Sequence, residues 1–145
     1  MIKIRILSEN IVTEQEKITL SQIVGDNSVI SFDFDNTLVK SFTDIDEDGE
    51  LNYINGGSNA TMINLMKHLI SDSSKKVYLV TSRSEAAEEK AGNEGVKVQL
   101  DKLGINPDGI FFTNSQPKVT KLKELGVEIH FDDDRAEHAD IKGSG

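Results

Sequence analysis

The chain has 145 residues, of which 37% are hydrophobic and 28% charged, with a formal net charge of -9 and no cysteine. That length and composition fit one globular domain with a real core, here taken as residues 1–145, and do not fit a disordered chain. The acidic balance opposes general binding to nucleic acid or anionic membrane, and the lack of cysteine excludes disulfides, thiolate metal sites and cysteine nucleophiles, in keeping with a reducing cytoplasm.

The first element is a strand over Ile2 to Leu7, where Ile2, Ile4 and Ile6 alternate with Lys3 and Arg5. This is not the continuous apolar run of a signal peptide, and no stretch reaches the length needed to span a bilayer. Residues 1–28 form an N-terminal extension, with Ile18 to Val24 undecided between strand and helix. Val29 to Phe34 (VISFDF) is a nearly unbroken apolar run, as expected of a strand covered on both faces of a parallel sheet. A polar hairpin over residues 40–56 follows, and then a helix over Asn59 to Ile70 with Ser58 or Asn59 as its cap.

Val77 to Val80 is the next buried strand and ends in Thr81-Ser82-Arg83. Helical sequence runs over Glu85 to Ala91, breaks at Gly92 and Gly95, and resumes over Val96 to Leu103 with Gly104 as its stop. Gly109 to Phe112 is a third core strand, Pro117 to Leu125 a helix closed by Gly126, and Val127 to Phe131 a fourth core strand ending in Asp132-Asp133-Asp134. Alternating strands and helices predict an α/β fold with a Rossmann-like parallel sheet flanked by helices. Sites in such sheets lie at the carboxyl ends of the strands, where this sequence puts Asp33, Asp35, Thr81 and the aspartate triplet, with Lys118 just before the last strand.

Singly, each aspartate reads equally well as a turn former or cap, Thr81 reads as a structural residue and Lys118 as a solvated helix residue. Together they suit phosphoryl transfer through an aspartyl intermediate. A carboxylate attacks phosphorus once the phosphate charge is neutralised, and Mg2+ does this with oxygen ligands such as Asp33 and an aspartate of the last strand. A hydroxyl and an ammonium group, Thr81 and Lys118, suit the remaining phosphate oxygens, and Asp35 suits general acid/base work. Ser82 and Arg83 are further candidates for binding substrate phosphate, although Arg83 reads equally well as the ion-pair partner of a nearby acid.

The sequence resembles the haloacid dehalogenase superfamily of phosphohydrolases. Phe32-Asp33-Phe34-Asp35-Asn36-Thr37-Leu38 is similar to its first motif, Val77-Tyr78-Leu79-Val80-Thr81 to its second, Lys118 (with Lys121 as fallback) to its third, and Ile129-His130-Phe131-Asp132-Asp133 to its fourth. The resemblance covers roughly Val29 to Asp140. It implies that Asp33 is the nucleophile, Asp35 the acid/base with its backbone carbonyl on Mg2+, and Asp132 or Asp133 the remaining metal ligand. The motif order differs from that of a two-component receiver domain, whose acidic pair comes first.

A second acidic cluster, Asp44-Ile-Asp46-Glu-Asp48-Gly49, spaces its carboxylates like a calcium loop, but its twelfth position is Asn55 where the loop requires a bidentate Glu. It is therefore read as the acidic tip of a hairpin flap. His68, His130 and His138 share no ligand spacing, so metal binding by histidine is not expected. The expected function is a Mg2+-dependent phosphomonoester hydrolase of capless type. Its substrate is a phosphorylated small molecule or a nucleic-acid end; the alternative is a noncatalytic metal- or partner-binding domain with the same acidic pocket.

Overall fold

The computed structural model describes residues 3–6, 24–45, 47–49 and 51–143. Among the described residues seven strands are seen: β1 (Lys3–Ile6), β2 (Val29–Phe32), β3 (Val39–Ile45), β4 (Leu51–Ser58), β5 (Lys76–Thr81), β6 (Gly109–Phe112) and β7 (Ile129–Asp132). The helices are α1 (Ala60–Ile70), α2 (Glu85–Ala91), α3 (Val96–Leu103), α4 (Val119–Leu125) and α5 (Arg135–Gly143), with a 3-10 turn at Gly92–Glu94.

Five strands form one parallel sheet in the order β1-β7-β2-β5-β6, while β3 and β4 pair as a separate antiparallel hairpin. Burial follows that order. β7 and most of β2 lie inside, so their sequences carry no polar face toward water, whereas β6 at one edge is half-buried throughout. Phe32 and Phe131 stack across the β2–β7 pair with ring centroids 4.9 Å apart. One core cluster packs α1 and α3 against the sheet through Leu65, Met66, Val96 and Leu100; a second packs Leu122 of α4 and Ile141 of α5 against Val80. The sheet is thus covered on both faces, the Rossmann-like α/β architecture with a hairpin after its first core strand that the haloacid dehalogenase resemblance implies.

Local signals set most of the boundaries. Asn59 caps α1 by accepting the Met62 amide at 3.2 Å, and Ser84 caps α2 through the Ala87 amide at 3.0 Å. Gly104 closes α3 in the left-handed conformation at φ 73°. Two differences from the sequence reading stand out. α4 begins at Val119 rather than Pro117, because Lys118 serves as its N-cap residue. α5 was not anticipated, although Asp134-Arg-Ala-Glu137 has the spacing of a capping box. β1 lies at the sheet edge; residues 7–23, including most of the undecided Ile18 to Val24 segment, fall outside the described residues.

The order of the sheet positions the site. From β2 the chain proceeds to β5 and β6 on one side and then crosses to β7 on the other. The carboxyl ends of β2 and β7 therefore flank a topological switch point, where the connections leave in opposite directions and open a crevice.

Candidate active site

Asp33 and Asp35 follow β2 in a turn whose geometry explains the spacing of the motif. The Asp33 amide donates to the Phe131 carbonyl at 2.8 Å, which ties the residue after β2 to β7. The chain then reverses around the Phe34 carbonyl, which accepts from Thr37, Leu38 and Val39 at 3.3, 3.0 and 3.3 Å, with Asn36 left-handed at φ 61°. Phe34 is fully buried and anchors the turn, and the Thr37 hydroxyl reaches back to Asp33 Oδ2 at 3.2 Å. A single tight reversal thus carries both aspartates and the threonine, with Thr37 bonded to Asp33.

Lys118 bridges the two sides of the crevice. Its Nζ donates to Asp33 Oδ1 at 2.7 Å and to Asp132 Oδ2 at 2.6 Å, and all three side chains are buried. Asp132 Oδ2 also meets His130 Nε2 at 2.8 Å, and its Oδ1 accepts the Asp134 amide at 2.9 Å. Oxygens of Asp33, Asp132 and Asp133 lie within 4.8 Å of one another. An open cavity of about 430 Å³ lies over the cluster, lined by Asp33, Asp35, Asn36, Ser82, Lys118 and the aspartates at 132–134.

Three carboxylates around one ammonium cannot all ionise freely. Burial raises the Asp33 carboxyl well above the usual carboxylate range; Lys118 opposes this, and the charges of Asp132 and Asp133 add to it. Asp133 is raised as well, first by burial. Asp132 goes the other way: burial works against its charge, but the bond from His130 and the charge of Lys118 override it and hold it ionised. Lys118 is likewise buried at a cost, yet the two aspartates raise its pKa above the ordinary lysine value. Burial keeps His130 below the ordinary histidine value, with Asp132 opposing. Asp132 and Lys118 therefore form the fixed ion pair, while burial works against the charge on both Asp33 and Asp133.

The remaining sequence candidates take up distinct positions. Ser82 lines the cavity, whereas Thr81 and Arg83 do not. Thr81 is fully buried at the end of β5, its Oγ1 accepting the Arg83 amide at 3.3 Å. Arg83 is 1% exposed and forks onto Asp35, Nε to Oδ2 at 2.9 Å and one terminal nitrogen to Oδ1 at 2.7 Å. Its other terminal nitrogen donates to the Glu94 carbonyl at 2.8 Å, and its guanidinium lies 5.1 Å from the centre of the Phe34 ring. Of the two roles the sequence left open for Arg83, this geometry shows the ion pair with a nearby acid. Lys121, the fallback for Lys118, is half exposed and pairs with Glu124 at 2.9 Å along its own helix.

Asp134 is the N-cap of α5, its Oδ1 accepting the Ala136 amide at 2.8 Å, which leaves Asp132 and Asp133 as the members of the triplet in the acidic cluster. Two residues escaped the sequence reading. Glu137 on α5 accepts the backbone amide of Lys118 at 2.8 Å and so fixes the N-terminus of α4; the capping-box spacing after Asp134 was its only local signal. His130 was set aside for want of ligand spacing, and it makes its contact through Asp132.

No family model matches the chain, and no curated protein matches it. Among solved structures, "Structure of putative 3-deoxy-D-manno-octulosonate 8-phosphate phosphatase from Vibrio cholerae" aligns at 17% identity and a TM-score of 0.45. The alignment covers 80% of this chain, which spans only 61% of that one. A likeness at this level bears on neither activity nor substrate. The crevice itself brings together, in one α/β fold, residues of three of the four segments through which the chain resembles the haloacid dehalogenase superfamily, with Ser82 entering it just beyond the end of the second.

Proposed function

We propose that the protein is a Mg2+-dependent phosphomonoester hydrolase acting through a phosphoaspartate at Asp33. The observation that carries this reading is the shared Lys118 ammonium, 2.7 Å from Asp33 and 2.6 Å from Asp132, beneath a cavity that Asp33 itself lines. The all-oxygen set of Asp33, Asp132 and Asp133 fits a hard cation, and the local excess of negative charge favours a divalent one. Bound there, Mg2+ would supply charge that favours the ionised form of Asp33 and offsets that of the incoming phosphate.

The chain's own groups would do the rest. Asp33 attacks phosphorus as the bond to the leaving oxygen breaks, and Asp35, entering the cycle in its protonated form, delivers the proton that this oxygen needs. Lys118 balances charge on the transferring group. Asp35 then takes the proton of a water that attacks phosphorus, which breaks the acyl phosphate, releases inorganic phosphate and restores Asp33. Arg83 occupies one lone pair on each Asp35 oxygen and leaves a second on each for these transfers.

Between Asp35 and the helix at Ala60–Ile70 the chain forms only the β3–β4 hairpin, which we read as a flap rather than a cap domain. An uncapped site suits phosphate on an extended molecule, while the net charge of -9 favours a small ester. Nucleotide 5′-phosphates and polynucleotide 3′-phosphates are accordingly the first substrates to test. Hydrolysis of p-nitrophenyl phosphate with Mg2+ and its loss in chelator are the expected result. A wild-type protein that turns over no phosphomonoester with any divalent metal would refute the reading in favour of a binding domain.

A further inference from the structure

Behind Asp132 lies a polar chain that the proposed chemistry does not use. Ser31 on β2 and His130 on β7 are both fully buried and face each other across the sheet, Ser31 Oγ to His130 Nδ1 at 2.6 Å. The other ring nitrogen meets Asp132 Oδ2 at 2.8 Å. Serine, histidine and aspartate in this order resemble a hydrolytic triad, but Ser31 is 0% exposed and no substrate reaches it.

The donors and acceptors define what the chain does. Asp132 is ionised and only accepts, so Nε2 carries the proton; Nδ1 of the neutral ring then accepts the Ser31 hydroxyl proton, which satisfies every buried polar atom of the set. Asp132 Oδ2 is thereby committed to two donors, His130 and Lys118, whereas among the described residues Oδ1 receives only the Asp134 amide. With one oxygen pinned and the other left with spare acceptor capacity, the carboxylate is held in one rotamer.

Resting on the phosphatase reading above, we propose that His130, oriented by Ser31, is a positioning residue that presents Asp132 Oδ1 to the divalent ion. Partners of this kind behind a metal ligand typically change metal affinity by about 10–100-fold when removed. A role in packing alone predicts a different pattern of variants.

Calorimetric titration of Mg2+ into the full chain, with thermal melting as a check on folding, separates the two. Wild type should bind Mg2+, His130→Leu should bind about 10–100-fold more weakly, and His130→Gln, which keeps an N–H near the position of Nε2, should recover most of the affinity. A folded His130→Leu with wild-type affinity would overturn the proposal, as would equal losses in the Leu and Gln variants. If His130→Leu does not melt cooperatively, Ser31→Ala decides the matter: weaker Mg2+ binding with an intact melt supports the proposal, and unchanged affinity overturns it. Failure of the wild type to bind Mg2+ would instead refute the phosphatase reading, and this proposal with it.

Discussion

The β2–β7 crevice and the β3–β4 hairpin both carry clustered acids in the sequence, and the fold treats them in opposite ways. In the crevice, Asp33 and Asp132 are withdrawn from water and share a lysine, while Asp35 is held by an arginine. On the hairpin, Glu47 and Asp48 at the turn are exposed, and so are the large apolar side chains of Phe42, Ile45 and Ile54. Asp44, Asp46 and Glu50 belong to the same calcium-loop spacing, but their side chains lie outside the described residues. The contrast shows that acid density alone specifies little. Burial makes a carboxylate cluster demanding, because each charge taken from water needs a counter-charge, a donor or a proton, and that demand assembles a site.

The largest expected effect that would sharpen this contrast is at Asp33. Asp33→Asn should reduce phosphatase activity to background, while in chelator its melting temperature should be no lower than that of wild type, since it removes a carboxyl from a crowded negative site. Residual turnover well above background would assign the nucleophile elsewhere. Lys118→Met comes next: stripping a buried cation from two carboxylates should cost about 3–5 kcal/mol of unfolding free energy in metal-free denaturant titrations, part of it regained on adding Mg2+. A loss below about 1 kcal/mol would place Lys118 among the exposed pairs of little value.

The effect of pH follows from the raised Asp33 carboxyl. A metal ligand must be ionised, so protons compete with Mg2+ for Asp33. Affinity should therefore be full above the raised Asp33 value and weaken as the pH falls through it, by close to tenfold per unit where one proton is displaced. Calorimetry at several pH values checks the sign; affinity that increases toward acid pH would contradict it. The smallest effects belong to the hairpin. Asp48→Asn should leave Mg2+ affinity unchanged, and Phe42→Ser should alter stability by no more than about 0.5 kcal/mol. A marked loss of metal binding in Asp48→Asn would break the distinction between the two regions.

What the sequence made legible was mostly local. Caps, glycine stops and apolar runs placed α1, α2, α3 and β6 closely, because each signal acts within a few residues of itself. The turn after β2 was legible for the same reason: Asp33, Asp35 and Thr37 are joined by one reversal. Contacts across the sheet were not. Ser31 and His130 are 99 positions apart, and no periodicity announces their bond. Arg83 read equally well as a phosphate ligand or an ion-pair partner until the fold brought Asp35 within 2.7 Å of it. Among the three adjacent aspartates, only the start of α5 separated the cap, Asp134, from the two that join the cluster.

The phosphoaspartate proposed at Asp33 can be detected during turnover. Rapid acid quench of wild-type protein with p-nitrophenyl phosphate and Mg2+, followed by peptide mass spectrometry, tests for it directly. A phosphoryl group is expected on the peptide containing Asp33, absent in chelator and in Asp33→Asn. Steady turnover with the phosphoryl group on another side chain would contradict the proposal.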